Sequence, residues 1–328
     1  MERIELALAA NGGAYSDALI LTAASIVRFA SRDVALRFNI LDGGLDFDRL
    51  VSTVGRMHPH VEFNRLVIDE RGLATMPNFH GSRMPYARLL LPELLPDVQF
   101  VVYCDVDFLW MADVAELWRQ RVPGKMIQST RDGFSPSEEN ERRWCERQGY
   151  EFPVGRYFCS GLCLFNLERC RALDFREKVF DFLVRHPHLM LPDQTAMNVL
   201  FKDEVHLFPK CWQQFPRMLG PTEFELPVVL HYAGESPWKI SHTTHMITDA
   251  QLLWFKWRAT VFGTTLWRSL RSAYSARQII LGRLVFLAVM ICPLTYACFA
   301  LFMKCRGAGR FRERIAFGRF RRLMRTLG

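Results

Sequence analysis

The run Val101-Val102-Tyr103-Cys104-Asp105-Val106-Asp107 constrains this chain more than any other stretch of it. A short apolar segment of this kind reads as a buried strand, and this one delivers two carboxylates, one residue apart, to its carboxyl end. Such a pair is costly to desolvate unless positive charge sits against it. In open α/β sheets ligands bind outside the carboxyl ends of the strands, so a metal ion and a phosphorylated substrate are the natural counter-groups.

The flanking sequence has the alternation that such a strand needs. Residues 4–9 form a short apolar strand running into Ala10-Asn11-Gly12-Gly13, and residues 17–29 carry apolar side chains at helical spacing. Strand, glycine loop and helix open a mononucleotide-binding α/β fold. The pattern predicts further strands at 35–41, 61–68, 126–129 and 158–166, and one at 228–231 that ends in His231. Helices are predicted at 47–57, 85–95, from 113 onward, at 175–185 and at 193–201. This alternation implies a mostly parallel sheet. A chain of 328 residues, half of them apolar and 26 of them Phe, has the material for one large α/β domain and an appendage.

The net charge of +8 is a local property: residues 304–328 hold nine Lys or Arg and one Glu, so the rest of the chain is balanced. Nine Cys show no Cys-x-x-Cys pair and no His partners at zinc spacing, and the first residues have no signal-peptide pattern. Free thiols in a reducing, cytoplasmic setting are the expectation.

From residue 248 the texture changes. Leu252, Leu253, Trp254, Phe255, Trp257, Val261, Phe262, Leu266, Trp267 and Leu270 alternate with Lys256, Arg258, Arg268 and Arg271, which reads as helices at a lipid interface, the alternative being core helices with a basic outer face. Residues 284–303 are 20 consecutive uncharged positions, enough for a hydrocarbon core of ~30 Å. Pro293 breaks that run and basic residues flank both ends, so a re-entrant or monotopic hairpin is expected rather than a single span. The basic tail suits an anionic membrane surface rather than nucleic acid.

Five motifs in order decide between the readings of Asp105 and Asp107: Leu8-Ala9-Ala10-Asn11, Tyr86-Ala87-Arg88-Leu89, the Asp pair itself, Tyr157-Phe158-Cys159-Ser160-Gly161-Leu162 with Pro192-Asp193-Gln194 behind it, and His231-Tyr232-Ala233-Gly234-Glu235-Ser236-Pro237-Trp238-Lys239. Over residues 4–238 the chain resembles glycosyltransferase family 8, which includes bacterial lipopolysaccharide galactosyl- and glucosyltransferases and glycogenin. A phosphatase of the haloacid-dehalogenase type, the rival for a strand ending in Asp-x-Asp, usually begins with that strand and has no use for the terminal His-Gly-Pro-Trp.

The resemblance implies a GT-A type nucleotide-diphospho-sugar transferase fold, α/β with a mostly parallel central sheet, in residues 1–245. Interfacial helices and a hydrophobic segment would follow in 246–303 and a basic tail in 304–328, a C-terminal helical, membrane-associated region. It implies Mn²⁺, with Mg²⁺ as the alternative, held by Asp105, Asp107 and His231. Ala9, Ala10, Asn11, Tyr15, Asp105, Val106, Asp132, Gly161, Gly234 and Lys239 would contact the donor, and Arg88, Asp193 and Gln194 would lie at the reacting sugar. Three departures from the family pattern stand out: Asn11 where members commonly have Asp, Cys159 in place of Asn, and Lys239 after Pro237-Trp238 where the usual Lys precedes Pro-Trp. The implied activity is metal-dependent, configuration-retaining transfer of glucose or galactose from a UDP-sugar to a lipid-linked saccharide, at the cytoplasmic face of the inner membrane. A sugar nucleotidyltransferase and a non-catalytic nucleotide-sugar-binding protein are the alternatives, although Asn11-Gly12-Gly13 lacks the basic loop of the first.

Overall fold

The computed structural model describes residues 1–78, 81–132, 135–216, 228–234, 236–238 and 247–291. The chain divides into two compact units, Met1–Gln213 and Gln214–Gly328.

In the first unit the strands are β1 (Glu2–Asn11), β2 (Val34–Gly43), β3 (Val61–Val67), β4 (Phe100–Cys104), β5 (Phe108–Met111), β6 (Ile127–Arg131), β7 (Phe158–Asn166) and β8 (Val205–Phe208). Its helices are α1 (Ala14–Phe29), α2 (Phe47–Val54), α3 (Leu91–Leu94), α4 (Val114–Arg119), α5 (Ser135–Gln148), α6 (Leu167–Ala172), α7 (Phe175–Arg185) and α8 (Pro192–Leu200). Seven strands form one sheet in the order β3-β2-β1-β4-β7-β6-β8. Only β7 runs against its neighbours, pairing antiparallel with both β4 and β6. The expected α/β fold with a mostly parallel sheet is therefore present. Ile4, Leu6, Ala7 and Leu8 of β1 are all fully buried, as the central strand of a sheet covered on both faces requires.

Most predicted elements fall within a few residues of the observed ones, and the exceptions have local causes. The helix expected at 85–95 is a 3-10 turn, Met84–Leu90, followed by the single turn α3. Pro85 and Pro92 each lack an N–H and crowd the preceding turn, which interrupts an α ladder. Helix α5 was missed because its sequence is polar; i,i+3 and i,i+4 pairs from Glu139 to Arg142 and Arg143, both at 2.8 Å, support it instead of an apolar stripe. Strand β8 was missed as well.

Helix α1 starts at the glycine loop for steric reasons. Gly13 has φ 69°, and a Cβ on Gly12 would lie 2.9 Å from the Gly44 carbonyl oxygen. The loops that end β1 and β2 thus approach each other more closely than side chains would allow.

In the second unit β9 (Val228–His231) is followed by α9 (Asp249–Val261), α10 (Leu266–Arg271) and α11 (Ala276–Ile291). A capping box of Thr248 and Gln251 starts α9. The interfacial reading of this region is corrected for most of its aromatic residues. Leu253, Trp254, Phe255, Trp257 and Leu270 are buried, with Trp254 packed on Tyr232 and Trp238 and Phe255 on Tyr274, while Trp267 is 49% exposed. These side chains have protein partners and do not need lipid. Among the described residues no helix is long and apolar enough to cross a membrane. Residues 292–303, with Pro293, and the basic tail lie outside the described residues.

Candidate functional site

At the carboxyl end of β4 the chain turns through Asp105, Val106 and Asp107 into β5, and helix α1 holds that turn. Thr22 Oγ1 lies 2.7 Å from the Val106 carbonyl and 2.9 Å from that of Phe108, so its one proton is shared between two backbone acceptors flanking Asp107. Ser25 Oγ accepts from the Trp110 N–H at 3.0 Å. Two hydroxyls at i and i+3 in the buried middle of this helix are the sequence signal of this brace, and sequence reasoning passed over it. The Asp105 N–H donates to the Gly161 carbonyl at 2.8 Å, which ties the turn to β7.

Beneath the turn lies Arg88, only 3% exposed. The 3-10 geometry brings its Nε to the Pro85 carbonyl at 2.8 Å. Nη1 donates to the Ser160 carbonyl at 2.5 Å, and Nη2 donates to Asp105 Oδ1 at 2.8 Å. Asp193 Oδ2 lies 3.3 Å from Nε, and the guanidinium sits 4.4 Å over the Tyr103 ring. Burial alone would favour a neutral Arg88; the charges of Asp105 and Asp193 overcome it and hold the guanidinium even more firmly protonated than usual. Every nitrogen of Arg88 therefore has a protein partner, and the residue organises carboxylates from within. Tyr103 was also missed: its hydroxyl donates to Asp105 Oδ1 at 2.8 Å, and burial raises its pKa well above the phenol range.

Helix α8 supplies the next two groups. Gln194 Oε1 accepts from the Ser160 N–H at 2.9 Å and its Nε2 donates to Asp132 Oδ2 at 2.8 Å, which fixes both ends of the amide. Asp132 is anchored in turn by its own N–H to the Tyr157 carbonyl at 2.8 Å. Asp132, Asp193 and Gln194 are each 4% exposed. The structure thus joins Arg88, Asp105, Asp193, Gln194, Asp132 and Gly161 into one polar web inside the first unit.

Other expected contacts lie around or apart from this web. Ala9 and Ala10 are in the last turn of pleat of β1, Asn11 closes that strand and donates to Ser82 Oγ at 3.2 Å, and Tyr15 is half-buried in the first turn of α1. Val106 is buried, and its carbonyl faces Thr22. Cys159 is buried in β7, and burial followed by the Asp132 charge pushes its thiol well above its ordinary range. Burial likewise pushes Cys163 up to about 12, so these thiols are not nucleophiles at neutral pH. All six described cysteines are free.

In the second unit His231 is the last residue of β9. It is 4% exposed, its N–H donates to the Gln214 carbonyl at 2.9 Å, and its ring lies 5.3 Å from that of Phe215. Gly234 follows in a turn with φ 74°. Lys239 lies outside the described residues.

Asp105 and Asp107 are half-buried hard oxygen donors at a strand end, a donor set that fits a divalent cation of the Mn²⁺ or Mg²⁺ kind. A strand-end Asp-x-Asp beside a glycine-rich first loop, on this mostly parallel sheet, is the arrangement of the glycosyltransferases of the GT-A fold. Solved members carry this architecture. The galactosyltransferase LgtC, in complex with donor and acceptor sugar analogs, superposes with a TM-score of 0.60 at 25% identity, over 72% of this chain and 89% of that one. The bifunctional glycosyltransferase WbbM shares the fold with a TM-score of 0.66 at 19% identity, over 83% of this chain and 52% of that one.

The sequence model of Glycosyl transferase family 8 matches residues 6–241, and the chain belongs to that family. It is a glycosyltransferase. General stress protein A of Bacillus subtilis (strain 168) is 25% identical over 249 residues, which cover 69% of this chain and 84% of that protein.

Proposed function

We propose that this chain transfers glucose or galactose from a UDP-sugar to a saccharide acceptor carried on a lipid, with retention at the anomeric carbon. The observation that carries the reading is the buried web of Arg88, Asp105, Asp193, Gln194 and Asp132, built from motifs that occur in the family's order. LgtC, described with donor and acceptor sugar analogs, supports a nucleotide-sugar donor.

Asp105 and Asp107 would hold Mn²⁺ or Mg²⁺, with His231 as the third ligand by its motif position. When bound, such a cation stabilises negative charge on a departing diphosphate. The chain's own residues perform the positioning. Ala9, Ala10, Asn11 and Tyr15 border the loop where a nucleoside would lie, with Gly161 and Val106 as backbone walls. Asp193 and Asp132 present carboxylates for sugar hydroxyls, each oriented by a partner, Arg88 and Gln194 respectively. Gln194 is a weak nucleophile with both ends of its amide engaged. Attack by the acceptor hydroxyl on the face that the diphosphate leaves, with the departing phosphate oxygen taking the proton, therefore needs no covalent enzyme intermediate. Lys239 and Gly234 would border the diphosphate.

The lipid-linked acceptor, of the lipopolysaccharide or polysaccharide-precursor type, and a peripheral position at the cytoplasmic face of the inner membrane rest on the uncharged run 284–303 and the basic residues after it. The exposed side chains of Ile280, Leu281, Leu284 and Val285 on α11 add an apolar face ahead of that run.

A donor screen tests the reading. The full chain is incubated with Mn²⁺ and UDP-glucose, UDP-galactose or UDP-GlcNAc, and UDP release is measured with and without anionic vesicles bearing a saccharide lipid. Release from a hexose donor that Asp107→Ala lowers by at least about 10²-fold is expected. Binding of UDP-sugar without release from any donor would replace transfer by a binding role. Full recovery of the chain in the vesicle-free fraction would remove the membrane part.

A further inference from the structure

Three consecutive residues of α8 are each held by a different part of the first unit. Asp193 faces Arg88 of the 3-10 turn at 3.3 Å, and Gln194 donates to Asp132 after β6 at 2.8 Å. Thr195 Oγ1 donates to Glu141 Oε2 of helix α5 at 2.8 Å. The first two contacts belong to the site already described. The third belongs to a residue with no part in it so far.

Glu141 is 2% exposed, the one buried side chain in the polar stretch of α5 from Glu139 to Arg143. A carboxylate is placed there at the cost of its hydration, so its partners define its task. Oε2 accepts a hydrogen bond from the Thr195 hydroxyl, and Oε1 accepts from the Leu191 N–H at 3.3 Å. Because the Thr195 hydroxyl donates to Glu141, the Tyr157 hydroxyl, 2.8 Å from Thr195 Oγ1, donates to Thr195. The chain of donors runs Tyr157 to Thr195 to Glu141 and joins β7 to α8 and α5. Burial raises the Glu141 pKa, while the Thr195 hydroxyl and the backbone N–H groups of Leu191 and Met190 pull it back.

Helix α8 also begins without a cap of its own. Leu191 stands at its N-cap position with no side-chain cap hydrogen bond, and Pro192 opens it. Glu141 supplies from another helix an acceptor for the N–H of Leu191, the N-cap residue, and places negative charge beside the start of the helix. The same first turn carries Asp193 and Gln194. Farther along, Asn198 bonds both the N–H and the carbonyl of Phe158, each at 2.9 Å, so the helix is pinned to β7 at its later turn and to α5 at its start.

We infer that Glu141 is a positioning residue for the transfer reaction: acting through Thr195 and the Leu191 N–H, it sets the height and rotation of the turn that presents Asp193 and Gln194 to the donor sugar. The inference rests on the proposed donor site and adds to it a residue outside the five motifs. Small displacements of such groups carry large kinetic penalties while leaving nucleotide contacts elsewhere intact.

The test uses the full chain with Mn²⁺ and whichever UDP-sugar the wild type consumes. Glu141→Gln, which places an N–H₂ against donors, and Thr195→Val, which removes the hydroxyl at constant shape, are each expected to lower kcat roughly 10- to 100-fold with donor KM changed less than about twofold. Thr195→Ser is expected to recover most of the rate. The Glu141→Gln/Thr195→Val double variant is expected to be no slower than the worse single variant, since both cut one path. Wild-type kcat in folded Thr195→Val, a loss that raises KM alone, or multiplied losses in the double variant would each overturn the inference. If Glu141→Gln fails to fold, Thr195→Val and its Ser counterpart carry the test. Isothermal titration of wild type with UDP separates the two ideas: a wild type that binds UDP but turns over no donor sinks the transfer reading and this role with it. A wild type that turns over at the same rate as the variants sinks only the role of Glu141.

Discussion

Two aspartates close the strands that flank β1 in the sheet, Asp42 on β2 and Asp105 after β4. Asp42 is 2% exposed and engaged at both oxygens: the N–H groups of Gly44 and Leu45 in its own turn lie 2.7 Å from Oδ1, and Arg65 Nε from β3 lies 2.6 Å from Oδ2. Burial alone would raise its pKa, but those two N–H groups and Arg65 hold it below the ordinary value. Asp105 receives Tyr103 from its own strand and Arg88 from 17 residues away, while its N–H reaches Gly161 on β7. A carboxylate sealed by the N–H groups of its own turn and one cation shapes a loop. One held by Tyr103 and Arg88 and tied through its backbone to β7, on a surface that remains partly open, is suited to a ligand. The same residue type at equivalent places in the sheet thus has different uses, and what separates them is exposure: Asp42 is sealed by the N–H groups of its own turn and by Arg65, while Asp105 stays half-buried.

The largest way to break this contrast is Arg88→Met. It removes the cation shared by Asp105 and Asp193, and about 3–5 kcal/mol of stability should go with it in urea denaturation, together with donor hydrolysis. A loss of activity at unchanged stability would mean that Arg88 contacts substrate and does not organise the web. Asp105→Asn comes next, with UDP release expected to fall about 10²- to 10³-fold while the fold is kept.

Asp42→Asn is the counterpart on the other side of β1. It should cost about 1–3 kcal/mol at pH 7 and leave kcat per folded molecule unchanged. Because the folded-state pKa lies below the unfolded value of 3.8, the stability that Asp42 contributes is present above that value and is lost as pH falls through the folded one. The penalty of the variant should therefore shrink between pH 7 and pH 3, and a penalty independent of pH would assign it to packing. Smallest of the four, Thr22→Val should cost about 1 kcal/mol and lower metal-dependent UDP release modestly, since it frees the backbone on both sides of Asp107. An effect on Tm with no kinetic change would make Thr22 part of the α1 packing alone.

The comparison also explains what could be read in advance. Asp105 and Asp107 were legible because a buried strand with two terminal carboxylates has few other uses, and the motifs around Arg88 and Gln194 are contiguous in sequence. Glu141 was not legible. It lies in a charge-rich helix where Glu139, Arg142 and Arg143 are ordinary solvated residues, and only packing against Thr195 separates it from them. Trp254 and Phe255 misled for the opposite reason: aromatic and basic residues alternate both at lipid interfaces and in buried helices with a charged outer side, and only the partners Tyr232, Trp238 and Tyr274 distinguish the two.

Local chemistry determined the strands, the glycine loop between β1 and α1, and the order of motifs that places the chain in its family. These depend on near neighbours, through alternation, φ restrictions and the cost of an unpaired carboxylate. Tertiary structure alone decided that Arg88 turns inward, that both ends of the Gln194 amide are engaged, and that the start of α8 is held by Glu141 of another helix. Each of those facts is a choice among hydrogen-bond partners tens of residues apart, and a sequence does not specify which partner wins until the sheet has brought them within 3 Å.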